Sequence, residues 1–589
     1  MKTKLFLASM VMLAGLSSCQ KLERELSTDF TEDQVITSYN RTSFLLNSVY
    51  GDLREGYSDV SGAMMSSATD EAEHARELDA VQRFNIGDWS ATSNPDDVWS
   101  HYYKAIRKAN YFLELDKGRV NLDLYKTDLS LFRQRSSELV RWNYEARFLR
   151  AFFYFELVKR YGGVPLITQT LGTDAASGMT RSSLATCIKF ITDECDSVIN
   201  AKVPGVNTND NPGVQSIPLQ YVGIQAENIG RVGTGMALAL KSRVLLYAAS
   251  NLFNSPSAWA GSYGKPEFVS FTDVSPVARQ QRWLAAANAA EAVINAYGGN
   301  PALGNYNQLF GNENHKVLEN IFVRRNAASN GFEQNNWPVG FSNGGGKTNP
   351  SQNLVDAYEF KVNATTTTMF DWSNPVHKAA PYANRDPRLA FSIAVNQSNL
   401  STESNYNRKL EMYTGGQDAS PKPNATKTGY YIRKYINSTP ATSSIHNWVF
   451  IRMAEIFLNY AEAKNELGDF ATARAYINKV RTRLGVDMPQ LNVAANDTRD
   501  KILQSIIRER QVEFAFEDHR AWDARRWMLG PDILGSSIRG VNITRTGSLD
   551  TYAPFNLESR NFVAAKMYLY PIPQSEILKS PGLVQNPGW

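Results

Sequence analysis

Histidine and cysteine are scarce in this chain of 589 residues, which holds six of the first and three of the second. The six are His74, His101, His315, His377, His446 and His519, none of them in a recognisable triad context. Few side chains can then exchange a proton near neutral pH, which weakens the case for histidine-based acid–base catalysis and leaves a carboxylate mechanism open. Three cysteines cannot supply a disulfide framework, and a chain of this size can build a core without one. Cys187 and Cys195 are eight residues apart within Thr186 to Ile199, which reads as an amphipathic helix. That rise sets them about 12 Å apart, beyond disulfide reach, so both are expected as small core residues. An excess of one charge is also missing: 62 Lys and Arg face 58 Asp and Glu, a net charge of +4. No nucleic-acid partner is expected from such a balance. Long apolar runs are absent beyond the first residues, so no internal segment is expected to span a membrane.

The N-terminus carries the one apolar run. Lys2 and Lys4 precede Leu5 to Leu16, a stretch too short to cross a bilayer. Leu16-Ser17-Ser18-Cys19 follows and resembles a bacterial lipobox. The resemblance implies a signal peptide over residues 1–18, a lipidated Cys19 and a tether over 19–35. Two or more acyl chains give stable anchoring, so the mature chain is expected on a membrane, not in it.

Helical period dominates the remainder. Asn143 to Tyr161 groups Phe148, Leu149, Phe152, Phe153, Phe155 and Leu157 at helical spacing and stops at Gly162-Gly163 with Pro165 beyond. Met236 to Phe253, Trp448 to Leu467, Phe470 to Leu484 and the charged stretch Lys501 to Met528 also read as helices. Weaker helices fit Thr42 to Leu53, Val98 to Leu115 and Arg282 to Ala296. Asn465-Glu466-Leu467-Gly468-Asp469-Phe470 ahead of Ala473, Tyr476, Ile477 and Val480 looks like the hinge and second helix of a tetratricopeptide repeat. No clean 34-residue period recurs, so the repeats must be degenerate and interrupted. The expected fold is mainly all-α: tetratricopeptide-like helix pairs with long loop-rich insertions and little β structure. One domain over residues 36–589 is expected, with an N-terminal part to about 310 and a C-terminal part from about 311. The long polar stretches are Ile86 to Asp97, Lys202 to Gly235, Gly311 to Gly346 and Ala364 to Gly429, and segments of that length are frequently functional.

Several motifs imitate catalysis. Gly340-Phe341-Ser342-Asn343-Gly344 matches the G-x-S-x-G nucleophile elbow, yet Asn335-Asn336-Trp337-Pro338 before it is no strand and Gly345 to Pro350 after it is no helix. Gly346-Lys347-Thr348 resembles a P-loop ending, but Phe341 stands where the first glycine belongs. Glu509, Glu513 and Glu517 fall on one face of the expected helix 501–528, and paired carboxylates serve glycoside hydrolysis. Arg508, Arg510, Arg520, Arg525 and Arg526 share that segment, so an ion-pair network is the stronger expectation. His519 and Asp523 have metal-compatible spacing but are only two. Glu71-Ala72-Glu73-His74 holds one Glu-x-x-His where a di-iron bundle needs two.

A set of segments in fixed order resembles the SusD/RagB family of Bacteroidetes lipoproteins. They are Trp99-Ser100-His101-Tyr102-Tyr103-Lys104-Ala105-Ile106 running to Asn110, and Glu145-Ala146-Arg147-Phe148-Leu149-Arg150-Ala151 through Tyr161-Gly162-Gly163-Val164-Pro165. Asn384-Arg385-Asp386-Pro387-Arg388-Leu389 follows, then Ile451-Arg452-Met453-Ala454-Glu455 through Tyr460-Ala461-Glu462-Ala463. Ile507-Arg508-Glu509-Arg510 with Glu513-Phe514 and Glu517, Tyr570-Pro571-Ile572-Pro573, and Gln585-Asn586-Pro587-Gly588-Trp589 complete the order. The resemblance covers essentially the whole chain. It implies a non-catalytic lipoprotein of the outer membrane, facing the cell exterior, which captures oligosaccharide or polysaccharide for a SusC-like TonB-dependent transporter. Some relatives in this family are associated with peptide uptake, so a peptide ligand is one alternative; a lipid-anchored glycoside hydrolase is another. A tetratricopeptide adaptor that grips a peptide would need a regular concave face, which the long insertions disfavour. Surface-exported members often carry an acidic cluster after the lipidated cysteine, whereas Lys21 and Arg24 here alternate with Glu23 and Glu25. Arg147, Arg508 and Glu509 are expected to hold helices together.

Sugar contacts are not carried over from the family, so the site candidates rest on chemistry. Aromatic faces meet the C–H face of a pyranose, and Asp, Asn, Arg or Gln meets its hydroxyls. Trp89 beside Asp88, Asp70 and His74 in the preceding polar segment, Trp337 followed by Phe341, and Tyr413 beside Gly415-Gly416-Gln417-Asp418 are the candidate glycan-binding residues. Trp99 and Trp448 open expected helices and read as core. No cofactor is expected, and a structural calcium ion is left open.

Overall fold

The computed structural model describes residues 31–172, 178–206, 213–492 and 497–589. The expected signal peptide, Cys19 and the tether up to residue 30 lie outside them.

Ten helices carry the framework: α1 (Tyr39–Tyr50), α2 (Trp99–Glu114), α3 (Leu129–Tyr161), α4 (Leu184–Ile199), α5 (Thr234–Ala249), α6 (Pro276–Ala296), α7 (Met453–Glu466), α8 (Phe470–Arg481), α9 (Arg499–Glu513) and α10 (Arg520–Arg526). From α2 to α9 each packs against the next in chain order. The stack is continuous in space but broken in sequence, since residues 297–452 intervene between α6 and α7. Helix is the dominant structure at 44%, against 11% strand, as the helical periodicity predicts. The tetratricopeptide-like hinge is present. Gly468 has φ +84°, which ends α7 at the conformation glycine adopts most readily. The Asp469 side chain accepts from the Thr472 amide at 3.1 Å to start α8, and Ala473 is fully buried against the partner helix. Cys187 and Cys195 are free and buried, as expected.

Three helix expectations need correction. α3 begins at Leu129, capped by Asp128, well before Asn143. Its first half is charged and shows no apolar period; ionic contacts hold it, with Arg135 reaching Glu138 at 2.8 Å while lying over the Tyr39 ring. The stretch 448–467 starts as a strand. Trp448–Arg452 is rich in β-branched and aromatic side chains and pairs antiparallel with Asn320–Arg324, Trp448 opposite Arg324. The stretch 501–528 is interrupted after Glu513, where Phe516 and Asp518 adopt φ +65° and +61°, before α10 resumes. Glu517 therefore stands off the helix that carries Glu509 and Glu513.

Among the described residues the strands pair two by two. In numbered order they include β1 (Ala72–His74) with β3 (Thr348–Pro350), β2 (Asn320–Arg324) with β4 (Trp448–Arg452), and the long hairpin β5 (Ser537–Thr546) with β6 (Leu549–Ser559). The hairpin was not anticipated. It turns at Gly547 with φ +61° and buries Ile538, Val541 and Ile543.

Two apolar clusters result. The larger fills the helical stack and draws on both ends of the chain, from Ile36 to Leu583. The second lies under the 297–452 insert and includes Tyr306, Trp337, Tyr358, Tyr430, Tyr431 and Phe516. Arg388 and Arg452 join it to the helices. Arg388 reaches Glu509 at 2.6 Å and Glu513 at 2.8 Å; Arg452 reaches Glu513 at 2.6 Å and Glu517 at 2.8 Å. Burial pushes the Glu513 carboxyl up, but Arg452, Arg483 and Arg388 together hold it well below the usual carboxylate range. This is the ion-pair network expected for these glutamates, with Glu517 joining it from beyond the helix. Arg147 (to Glu194, 2.8 Å) and Arg508 (to Glu359, 3.2 Å) likewise tie elements together.

Candidate functional site

The sequence-derived candidates do not converge on one pocket. Trp89 is 4% exposed, with its ring 4.5 Å from Trp589, 5.1 Å from Phe84 and 5.2 Å from Tyr570, so no open face remains for a sugar. Trp337 is fully buried, edge-on to Phe341 at 5.9 Å and Tyr406 at 5.6 Å. Phe341 is covered by the Arg408 guanidinium at 3.9 Å, itself paired with Asp418. These rings cap the core beneath polar loops, which is why they looked exposed in sequence. Asp70 is 7% exposed and grips Arg520 with two bonds of 2.8 and 2.7 Å. Tyr413 is half-buried under Arg545, whose own partner is Asp550. Asp88 alone of the seven is exposed.

His74 points to a more open place. It is buried in β1, and its Nε2 lies 2.7 Å from Asp79 Oδ2. Burial lowers its pKa, with Asp79 opposing. The Ala75 amide donates to the Lys347 carbonyl at 2.8 Å, which extends the β1–β3 pairing and fixes the start of the segment 76–80. That segment forms one wall of a surface crevice of about 490 Å³, lined among others by Ser61, Leu78, Arg83, Thr92, Asn94, Asp97 and Gln574. Four stretches of chain meet there and are pinned by hydrogen bonds. Ser90 and Ser93 exchange backbone bonds of 3.2 and 3.1 Å to close a tight turn, and the Gln574 amide donates to the Ala91 carbonyl at 3.0 Å. The Ser61 hydroxyl donates to the Pro95 carbonyl at 3.1 Å. Such anchoring leaves the Arg83 and Gln574 side chains to meet a ligand with little loop ordering to be done on binding. The Ile86–Asp97 loop was visible in sequence as a long polar stretch. Gln574, almost five hundred residues away, carried no signal.

The carboxylates that could have served hydrolysis are closed off. Glu509 and Glu513 are buried and committed to arginines, with no approach for a substrate. Among the described residues, no three His, Cys, Asp or Glu side chains converge as metal ligands. Nor is any described helix long and apolar enough to cross a membrane.

Glu71, next to Asp70, behaves unusually. It is 2% exposed, its Oε1 has no hydrogen-bond partner, and burial, with the Asp70 carboxylate adding to it, pushes its pKa up to about 8. The folded protein thus keeps a proton that an unfolded glutamate releases near its ordinary value of 4.5. Folding takes up a proton between those values, so this group's effect on stability declines as pH rises from about 4.5 to about 8 and is level above. Glu71→Gln should match the wild type in urea-unfolding midpoint at pH 4 and exceed it at pH 8.5. Parallel curves at every pH would mean that Glu71 keeps an ordinary pKa.

Helix pairs stacked in chain order, interrupted by a loop-bearing insert, define a tetratricopeptide-like scaffold protein. The comparisons with known proteins agree. Residues 315–589 match the SusD family model, and residues 25–201 match a SusD-like model described as starch-binding, associating with outer membrane. Together they take in well over half of the chain, which belongs to the SusD/RagB family. "SusD-like protein P2" of Formosa agariphila is 30% identical over 227 residues, covering 37% of this chain and 41% of that protein. The chain thus spans less than half the length of the curated relatives it matches. A SusD-like protein from Bacteroides fragilis superposes with a TM-score of 0.74 at 25% identity, over 95% of this chain and 99% of the other. A SusD-like carbohydrate binding protein from the same species gives 0.71 at 24% identity, over 93% and 100%, which shows a shared fold.

Proposed function

We propose that this protein is a cell-surface lipoprotein that captures oligosaccharide or polysaccharide without cleaving it and delivers it to a SusC-type TonB-dependent transporter. In this reading Cys19 bears the lipid and holds the protein to the outer membrane, facing outward. Membership of a carbohydrate-binding family supports the ligand class. The single observation that carries the reading is the pinned crevice at residues 61, 78–97 and 573–575, where arginine, amide and hydroxyl groups face solvent from a rigid rim. Bidentate polar groups of that kind match vicinal sugar hydroxyls. Of the candidate aromatics only Trp89 backs this crevice, packed behind the 84–97 wall against Phe84 and Trp589.

The test is native gel electrophoresis in a panel of host, plant and microbial polysaccharides, with analysis of each polymer for breakdown products. Retardation by a polymer without cleavage is the expected result. Arg83→Ala with Gln574→Ala should weaken it at least tenfold while leaving the thermal midpoint unchanged, since a lost hydrogen bond to the charged Arg83 alone costs about 1.5–3 kcal/mol and one to the neutral Gln574 amide about 0.5–1.5 kcal/mol. Released oligosaccharides would replace capture by hydrolysis. Unchanged retardation in the double variant would move the site off this crevice. Co-purification of a large outer-membrane transporter tests the delivery step.

A further inference from the structure

A second depression lies beyond the far end of the short helix Gln574–Lys579, and its chemistry differs from that of the crevice. It is a groove of about 330 Å³ between α2, the segment 165–171 and the C-terminal stretch 576–583. Its floor is apolar: Trp99, Ile106, Pro165, Ile167, Met179 and Leu583. Tyr103 adds a ring 5.0 Å from that of Trp99 and tilted 48° to it, and its hydroxyl is already committed to the Pro165 carbonyl at 2.9 Å. The groove therefore offers little to a sugar hydroxyl.

Its lip is cationic. Lys104 and Arg107 are both exposed, three residues apart on α2, and so lie on one face of that helix. Neither forms an ion pair among the described residues. On the opposite lip Lys579 pairs with Glu576 at 2.6 Å, so the charges there cancel. An apolar slot with two unneutralised cations on one side is complementary to a molecule with an apolar body and one anionic head. Burying the body removes apolar surface from water on both partners, and the head gains charge attraction at the lip. The volume is within the range of small-molecule sites, about 300–1,000 Å³.

We infer that this groove is a binding site for a single-chain anionic amphiphile, its chain lying along Trp99, Ile106 and Leu583 and its head group between Lys104 and Arg107. The inference does not depend on the glycan reading.

The experiment is isothermal titration of the purified protein carrying Cys19→Ser, to keep it free of lipid, with decanoate below its micelle concentration. Decanol, decyltrimethylammonium and acetate are the comparison ligands. One decanoate per chain is expected, bound at least tenfold more tightly than decanol or the cation, with acetate not detected. Lys104→Glu with Arg107→Glu should weaken decanoate at least tenfold at an unchanged thermal midpoint, and Lys104→Gln with Arg107→Gln should fall between. Decanol binding as tightly as decanoate, or equal affinity in the charge-reversed variant, would overturn the proposal. Binding to anionic phosphatidylglycerol vesicles with none to monomeric decanoate would also overturn it, assigning this face to a membrane surface instead.

Discussion

Arg452→Met should lower the stability of the folded protein by about 3–5 kcal/mol, the cost of leaving a buried charge without its partner. Arg452 is 1% exposed and sits where the strand β4 passes into α7. Its Nε and Nη2 donate to the two Glu517 oxygens at 2.8 Å each, Nη1 to Glu513 Oε1 at 2.6 Å, and Nη2 also to the Glu513 carbonyl at 2.9 Å. Methionine fills much of the volume but supplies none of these donors. Glu513 retains Arg388 and Arg483, so the main damage falls on Glu517, whose remaining cation is Lys434 at 2.7 Å. Adding Glu517→Gln to Arg452→Met should therefore recover only part of the loss: the stranded carboxylate is removed, but buried Lys434 then loses its partner. Urea unfolding of the two single variants and the double variant measures the coupling. Strict additivity would show that Arg452 and Glu517 act independently, against the geometry.

Trp89→Ala should cost about 3–5 kcal/mol of stability, and any loss of glycan binding should follow from unfolding. The indole is wedged among Phe84, Tyr570 and Trp589. Its removal leaves a cavity that joins the 84–89 segment to the C-terminal residues, and edge-to-face aromatic contacts are lost with it. Trp89→Phe should retain much of that packing and bind as the wild type does. The opposite pattern, normal urea unfolding with binding abolished in Trp89→Ala, would return this residue to the ligand surface.

Trp89 also marks where sequence reading reaches its limit. An aromatic in Gly87-Asp88-Trp89-Ser90 looks available to a ligand because its neighbours are polar, and local composition cannot reveal that Trp589 closes over it. The same holds for Trp337 and Phe341, which are covered by Tyr406 and Arg408 from a later loop. The framework was far more legible. Apolar period identified the buried half of α3, and Gly468-Asp469 marked the α7–α8 hinge, because capping and helix packing are local. The charged first half of α3 was missed because its contacts are ionic. The strand β4 was absorbed into a helix because no breaker separates Arg452 from Met453. Of the crevice, the Ile86–Asp97 wall showed itself as a polar stretch, while Gln574 reaches it only through tertiary folding.

The separation of α6 from α7 by residues 297–452 bears on how the chain acquires its shape. Helices α2 to α6 are neighbours both in sequence and in space, and so are α7 to α9. Local contacts of this kind form quickly, whereas contacts across a long intervening segment wait for a loop to close. The topology thus predicts two early helical blocks and one late docking event between α6 and α7, with β2 and β4 pairing inside the intervening segment. Until that event, the faces of α6 and α7 that meet in the finished stack stand open to water. That transient exposure is where a folding catalyst or an aggregating neighbour would first make contact.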